Sequence, residues 1–105
     1  MKTPTIIAVD VDGTLTSKTC WTIDECLKAE MNDDNIKVAN NIRKAYENNW
    51  ILIYTARRDH LIGPTIKWLR RNNIPFHSIS NNKVPANWYV DFNFIDPRDE
   101  AWKSE

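Results

Sequence analysis

The chain reads as an α/β domain built on a mainly parallel sheet. Three observations carry that reading. Apolar, β-branched segments recur between amphipathic stretches; those segments lack polar alternation, as strands buried on both faces do; and three of them run directly into polar residues, Asp10 and Asp12, Thr55, and Asp91. In open α/β sheets ligands sit beyond the carboxyl ends of the strands, so these residues collect at one edge.

Taken in order, Thr5–Val9 (TIIAV) is the first strand. Thr22-Ile23-Asp24-Glu25 has the form of a capping box, with Ile23, Cys26 and Leu27 on one face of a short helix. Asp33 or Asp34 is placed to cap a longer helix over Asn35–Glu47, where Ile36, Ala39, Ile42, Ala45 and Tyr46 make an apolar stripe. Asn48-Asn49 ends it. Trp50–Tyr54 (WILIY) is the second strand. A further helix lies between Asp59 and Asn73; Pro64 fits only in its first turn, so the regular part starts near Gly63, with Ile62, Ile66 and Leu69 toward the sheet. Pro75–Ile79 is a third strand, Trp88–Val90 a fourth, and the tail from Pro97 has helical character.

Bulk composition narrows the function. A chain of 105 residues accommodates one domain, spanning 1–105. Formal net charge is +0, which disfavours a dedicated nucleic-acid or membrane binder. No apolar run is long enough for a membrane span and no signal peptide opens the chain, which makes the cytoplasm the expected location. The two cysteines, Cys20 and Cys26, match neither a redox pair nor a zinc site and read as ordinary thiols.

The chemistry gathers in Asp10-Val11-Asp12-Gly13-Thr14. Two carboxylates one residue apart at a strand end repel each other unless a cation intervenes. Oxygen ligands select a hard cation, and beside phosphate that is usually Mg²⁺. Gly13 lets the backbone turn at once and bring amide N–H groups to an anion, and Thr14 adds a hydroxyl.

These residues resemble a known family. IIAVDVDGTLT resembles the first motif of the haloacid dehalogenase superfamily, mostly Mg²⁺-dependent phosphatases; ILIYTAR, ending in Thr55-Ala56-Arg57, resembles the second; Lys83 in SNNKVPA resembles the third-motif lysine; and WYVD, ending at Asp91, resembles the fourth. They arrive in family order, and the T-x-R and K-x-P-A strings are similar to those of a short, cap-less subgroup. The resemblance implies a Rossmann-like sheet of strand order 3-2-1-4, with helices on both faces and no cap domain. It also implies roles. Asp10 becomes the nucleophile and Asp12 the general acid and base. Thr55 donates to a phosphoryl oxygen, and Lys83 neutralises charge on Asp10 and the phosphoryl group. Gly13, Thr14, Ala56 and Arg57 bind substrate. Asp10, Asp12 through its carbonyl, Asp91 and Asp96 serve Mg²⁺. The sequence departs from the subgroup after the fourth strand: Phe92 comes after Asp91 where a second acid is common, and Asp96 is the next one.

Other residues read as structure or substrate border. Arg57 and Arg58 suit a phosphate clamp, though at least one can equally pair with Asp59 or face solvent; His60 and His77 lack ligand spacing, and Trp21 lies close enough after the first motif to border a substrate. The implied function is a phosphate monoester hydrolase acting through an aspartyl-phosphate on Asp10. Its rivals are a non-catalytic phosphate- or partner-binding module, a phosphotransferase, and a polynucleotide 3′-phosphatase. The expected partner is a phosphorylated substrate, small or large, with nucleic acid disfavoured by charge and a homo-oligomer left open.

Overall fold

The computed structural model describes residues 5–82 and the backbone of Trp88–Val90. Its elements are β1 (Thr5–Asp10), α1 (Ile23–Leu27), α2 (Asp33–Ala45), β2 (Asn49–Tyr54), a 3₁₀ turn (Asp59–Leu61), α3 (Ile62–Arg71), β3 (Ser78–Ser80) and β4 (Trp88–Val90). The strands form one sheet in the order β3-β2-β1-β4. Every pairing is parallel, with Ile7 opposite Ile51, Val9 opposite Ile53 and Val90, and Ile53 opposite Ile79. This is a small Rossmann-like α/β domain. The helical tail expected from Pro97 lies outside the described residues.

One face of β1 and β2 builds the core. Ile7, Val9, Ile51 and Ile53 pack with Val38, Ala39, Ile42 and Ala45 of α2 and with Trp68 and Leu69 of α3. Among the described residues both long helices lie on the same face; the helix expected from Pro97, and with it the expectation of helices on both faces, lies outside them. The physical reason for the shared face is the direction of travel. The steps from β1 to β2 and from β2 to β3 go the same way across the sheet, and two right-handed crossovers in one direction put both helices on one side. Ala8 and Leu52, also buried, belong to neither core cluster.

Local signals act as the sequence predicts in some places and differently in others. Thr22 caps α1, its hydroxyl accepting from the Glu25 N–H at 3.1 Å. The cap of α2 is Asn32, not Asp33 or Asp34. Asn32 and Asn35 form a reciprocal capping box, each amide oxygen taking the other's backbone N–H at 2.9 and 2.8 Å. That box turns Asn35 inward, where it donates to the Thr14 carbonyl at 2.9 Å. The buried stripe becomes Asn35, Val38, Ala39, Ile42 and Ala45, and Ile36 is turned out to solvent.

The start of β3 is also displaced, to Ser78. Pro75 has no N–H to give a ladder, and His77 joins the sheet through its side chain. The His77 N–H donates to the Ile51 carbonyl at 2.9 Å, while the Ile51 N–H donates to imidazole Nδ1 at 2.9 Å. The ring stacks on Tyr46 at 4.2 Å and on Trp50 at 4.8 Å between centroids. His77 is thus structural, as its isolation in the sequence indicated.

Candidate active site at the carboxyl edge of the sheet

β1 and β2 run in register to their last residues, Asp10 opposite Tyr54. The two loops that leave these strands therefore meet at one edge. After β1 the chain turns within a few residues: the N–H groups of Thr14, Leu15 and Thr16 all donate to the Val11 carbonyl, at 3.1, 2.8 and 3.1 Å. Gly13 makes this turn at φ 81°, a left-handed value that costs a residue with a Cβ. The space around its Cα is open, so the constraint there is conformational rather than steric.

Asp12 has three N–H donors on its carboxylate. Arg57 donates to it from Nη2 to Oδ1 at 2.8 Å and from Nε to Oδ2 at 3.1 Å. The Cys20 N–H donates to Oδ1 at 3.0 Å. Oδ1 thus takes two N–H groups and Oδ2 one. Arg57 was expected to meet substrate. It is instead buried, with its remaining contact from Nη1 to the Thr65 hydroxyl at 2.7 Å. Burial pushes the guanidinium pKa down, and the hydrogen bonds and charge of Asp12 more than offset this, leaving it above its ordinary value. The sequence reading missed Thr65, which carries no motif signal; it lies in α3 and returns its own hydroxyl proton to the Leu61 carbonyl at 2.7 Å.

Thr55 comes directly after β2 and is fully buried. Its N–H donates to the Ser80 carbonyl at 3.0 Å, and its hydroxyl oxygen accepts the Arg57 N–H at 3.2 Å. No hydrogen bond among the described residues uses the Thr55 hydroxyl proton. Thr14 Oγ1 is buried with no hydrogen-bond partner among the described residues, a costly state that a polar ligand relieves. Ala56 is exposed at the lip of the edge, and Asp10 is half-buried at the end of β1. Arg58 does not pair with Asp59. The Asp59 carboxylate accepts instead from Asn81 Nδ2, at 2.6 Å, which ties the loop after β3 to the loop after β2.

Lys83, Asp91 and Asp96 lie outside the described residues. Asn81 precedes Lys83 by two positions, and the pairing of β1 with β4 stops at Val9 and Val90, one residue short of Asp10 and Asp91. Among the described residues no three His, Cys, Asp or Glu side chains gather as a metal cluster. The donors that β1 brings to the edge are nonetheless all oxygen, a set that fits a hard cation. With its carboxylate held by Arg57 and Cys20, Asp12 has its main-chain carbonyl to offer, in keeping with the ligand expected of it.

A small apolar pocket of about 180 Å³ opens beside this site, bordered by Asp12, Trp21, Ala56, Arg58, His60 and Leu61. Cys20 and Leu61, which also line it, form a second buried cluster with Cys26. Burial pushes both thiols above their usual range, against the opposing pull of Arg57.

No family model and no curated protein matches the chain. Among solved structures it is similar to a chain of the Pnkp1/Rnl/Hen1 RNA repair complex, at 16% identity and a TM-score of 0.57 over 95% of its length. A second chain, from a Pnkp1/Rnl/Hen1 complex, matches at 16% identity and a TM-score of 0.57 over 86%. The chain spans 29% of the length of each of those chains. At this identity the likeness is one of fold, a small α/β domain with a parallel sheet.

Proposed function

We propose that the protein is a Mg²⁺-dependent phosphohydrolase that cleaves phosphate monoesters through an aspartyl-phosphate on Asp10. The observation that carries this reading is the convergence at one sheet edge of Asp10, an Asp12 carboxylate aimed by Arg57, and a Thr55 hydroxyl whose proton no hydrogen bond among the described residues takes. Nucleophile, proton carrier and phosphoryl donor are what in-line phosphoryl transfer asks of a protein.

In the first half-reaction a carboxylate oxygen of Asp10 attacks phosphorus as the bond to the leaving oxygen breaks, and Asp12 gives that oxygen a proton. In the second, Asp12 takes a proton from water, the water oxygen attacks phosphorus, and the bond to Asp10 breaks to release phosphate. Oδ2 of Asp12, with one N–H partner against two on Oδ1, is the oxygen with capacity to carry the proton. Arg57 positions this carboxylate rather than binding phosphate. Thr55, Thr14 and the amides around Gly13 receive phosphoryl oxygens. Asp10, the Asp12 carbonyl, Asp91 and Asp96 would hold Mg²⁺, which would supply positive charge against the phosphate oxygens. Lys83 adds a second charge from the loop that Asn81 tethers.

Within the phosphomonoesters, the fold likeness to chains of an RNA repair complex favours a phosphate at a nucleic-acid end, against the preference drawn from net charge alone. The test is phosphate release from a panel of phosphomonoesters with Mg²⁺, including 3′- and 5′-phosphorylated oligonucleotides. Asp10→Asn is expected to abolish release while keeping the wild-type denaturation midpoint. A variant that retains more than a few per cent of activity removes Asp10 from the nucleophile role.

A further inference from the structure

We infer that Trp21, with Arg58 and His60, forms a leaving-group subsite that stacks a nucleobase next to the phosphate under attack. This deepens the phosphohydrolase reading and rests on it. The pocket that Trp21 borders begins at Asp12. Asp12 is the group that hands a proton to the leaving oxygen, so whatever carries that oxygen extends from Asp12 along this pocket. The occupant must suit its walls. Trp21 is 74% exposed, an unusual position for an indole, and it presents a ring to a cavity of about 180 Å³. A flat ring of nucleobase size matches such a wall, because base–aromatic stacking needs only a π-face on each partner.

The opposite rim is polar. Arg58 and His60 are both exposed, and neither side chain makes a hydrogen bond or ion pair among the described residues. Asp59 between them is occupied by Asn81. A guanidinium lining the same pocket as an indole fits a ligand that carries both a ring and a second phosphate, the next link of a nucleic-acid strand. A sugar phosphate has no aromatic π-face to stack, and a phosphopeptide supplies neither a nucleobase nor a phosphodiester.

The experiment compares wild-type, Trp21→Ala and Trp21→Phe enzymes on four substrates: a phosphate-ended tetranucleotide, the same strand with the terminal base removed, a phosphoserine peptide and an alkyl phosphate. Trp21→Ala is expected to raise KM for the intact strand about 5- to 150-fold. It leaves the abasic strand, the peptide and the alkyl phosphate unchanged, and Trp21→Phe restores most of the loss. An equal effect on all four substrates, or none on the intact strand, overturns the subsite. A second arm does not depend on turnover. Asp10→Asn protein is titrated with the intact and abasic strands in Mg²⁺, and binding is read by fluorescence anisotropy of a labelled strand. Tighter binding of the intact strand, lost in Asp10→Asn/Trp21→Ala and less salt-dependent in Asp10→Asn/Arg58→Gln, supports the subsite even if no substrate is hydrolysed; equal binding of the two strands overturns it. Hydrolysis failing while base-dependent binding persists rejects the catalytic reading alone.

Discussion

Arg57 grips Asp12 through two hydrogen bonds, Nη2 to Oδ1 at 2.8 Å and Nε to Oδ2 at 3.1 Å, across the ends of two adjacent parallel strands. The guanidinium is almost wholly buried, its side chain 2% exposed against 18% for Asp12. The pair thereby fixes the direction of the carboxylate while leaving it open to the pocket.

Arg57→Lys should therefore do more harm than its retained charge implies. An ammonium cannot reproduce the planar fork, and the contact with Thr65 is lost as well. We expect a stability loss of about 1.5–3 kcal/mol, in the range of a lost hydrogen bond to a charged group. Turnover should fall with KM little changed, because Asp12 loses its aim while substrate contacts remain. Urea denaturation and steady-state kinetics check both; an unchanged kcat would remove Arg57 from the positioning role.

Mg²⁺ should stabilise the folded protein and be required for phosphate release. Binding to the native state alone raises the denaturation midpoint by mass action. Asp10→Ala should abolish that shift, and Asp91→Ala should weaken Mg²⁺ dependence more than Asp96→Ala. A residue that only orients a metal-bound water is worth about 10–100-fold. Thermal melts across a Mg²⁺ titration, with chelator as the blank, make the comparison. Greater loss in Asp96→Ala reverses the order of the two acids.

His77→Ala should cost about 1–3 kcal/mol, the penalty for leaving the Ile51 N–H inside the sheet without its acceptor. His77→Phe keeps a ring between Tyr46 and Trp50 but not the acceptor. It should recover only the stacking part. Chemical denaturation of the two variants separates the contributions, and activity per folded molecule should be unaffected in both.

Cys20 and Cys26 should resist alkylation at neutral pH in the native protein and react quickly once it is unfolded. Their thiols hold protons more tightly folded than unfolded because burial disfavours the thiolate. A raised folded pKa gives stability that is complete below the unfolded thiol pKa of about 8.5 and is lost as pH climbs through the higher folded value. Denaturation midpoints should therefore fall more steeply above that pH in wild type than in Cys20→Ala/Cys26→Ala. Parallel pH profiles would contradict it.

The sequence by itself determined the parallel α/β class, the positions of β1, β2 and β4 and the collection of Asp10, Asp12 and Thr55 at one edge. These have short-range causes. Continuous apolar runs must be buried on both faces, and a parallel strand delivers its succeeding residues to the carboxyl side. Thr22 and His77 were legible for similar local reasons.

Tertiary structure decided the rest. Arg57 stands just past a strand end and carries phosphate-shaped chemistry, so the sequence offered substrate as its partner; only the β1–β2 register turned it onto Asp12. Ile36 belongs to a helical apolar stripe, yet Asn35 takes the inward position because a capping box and the Thr14 carbonyl hold it there. Both long helices cover one sheet face because handedness and strand order act together, and neither is written in any one segment. Trp21, expected from its place after the first motif to border a substrate, is exposed in the fold, and only the fold sets it beside a pocket that includes Asp12. For Arg57 and Asn35 a partner distant in sequence competes with the local preference, and the buried hydrogen bond or ion pair it provides outweighs the roughly few tenths of a kcal/mol that local propensity supplies.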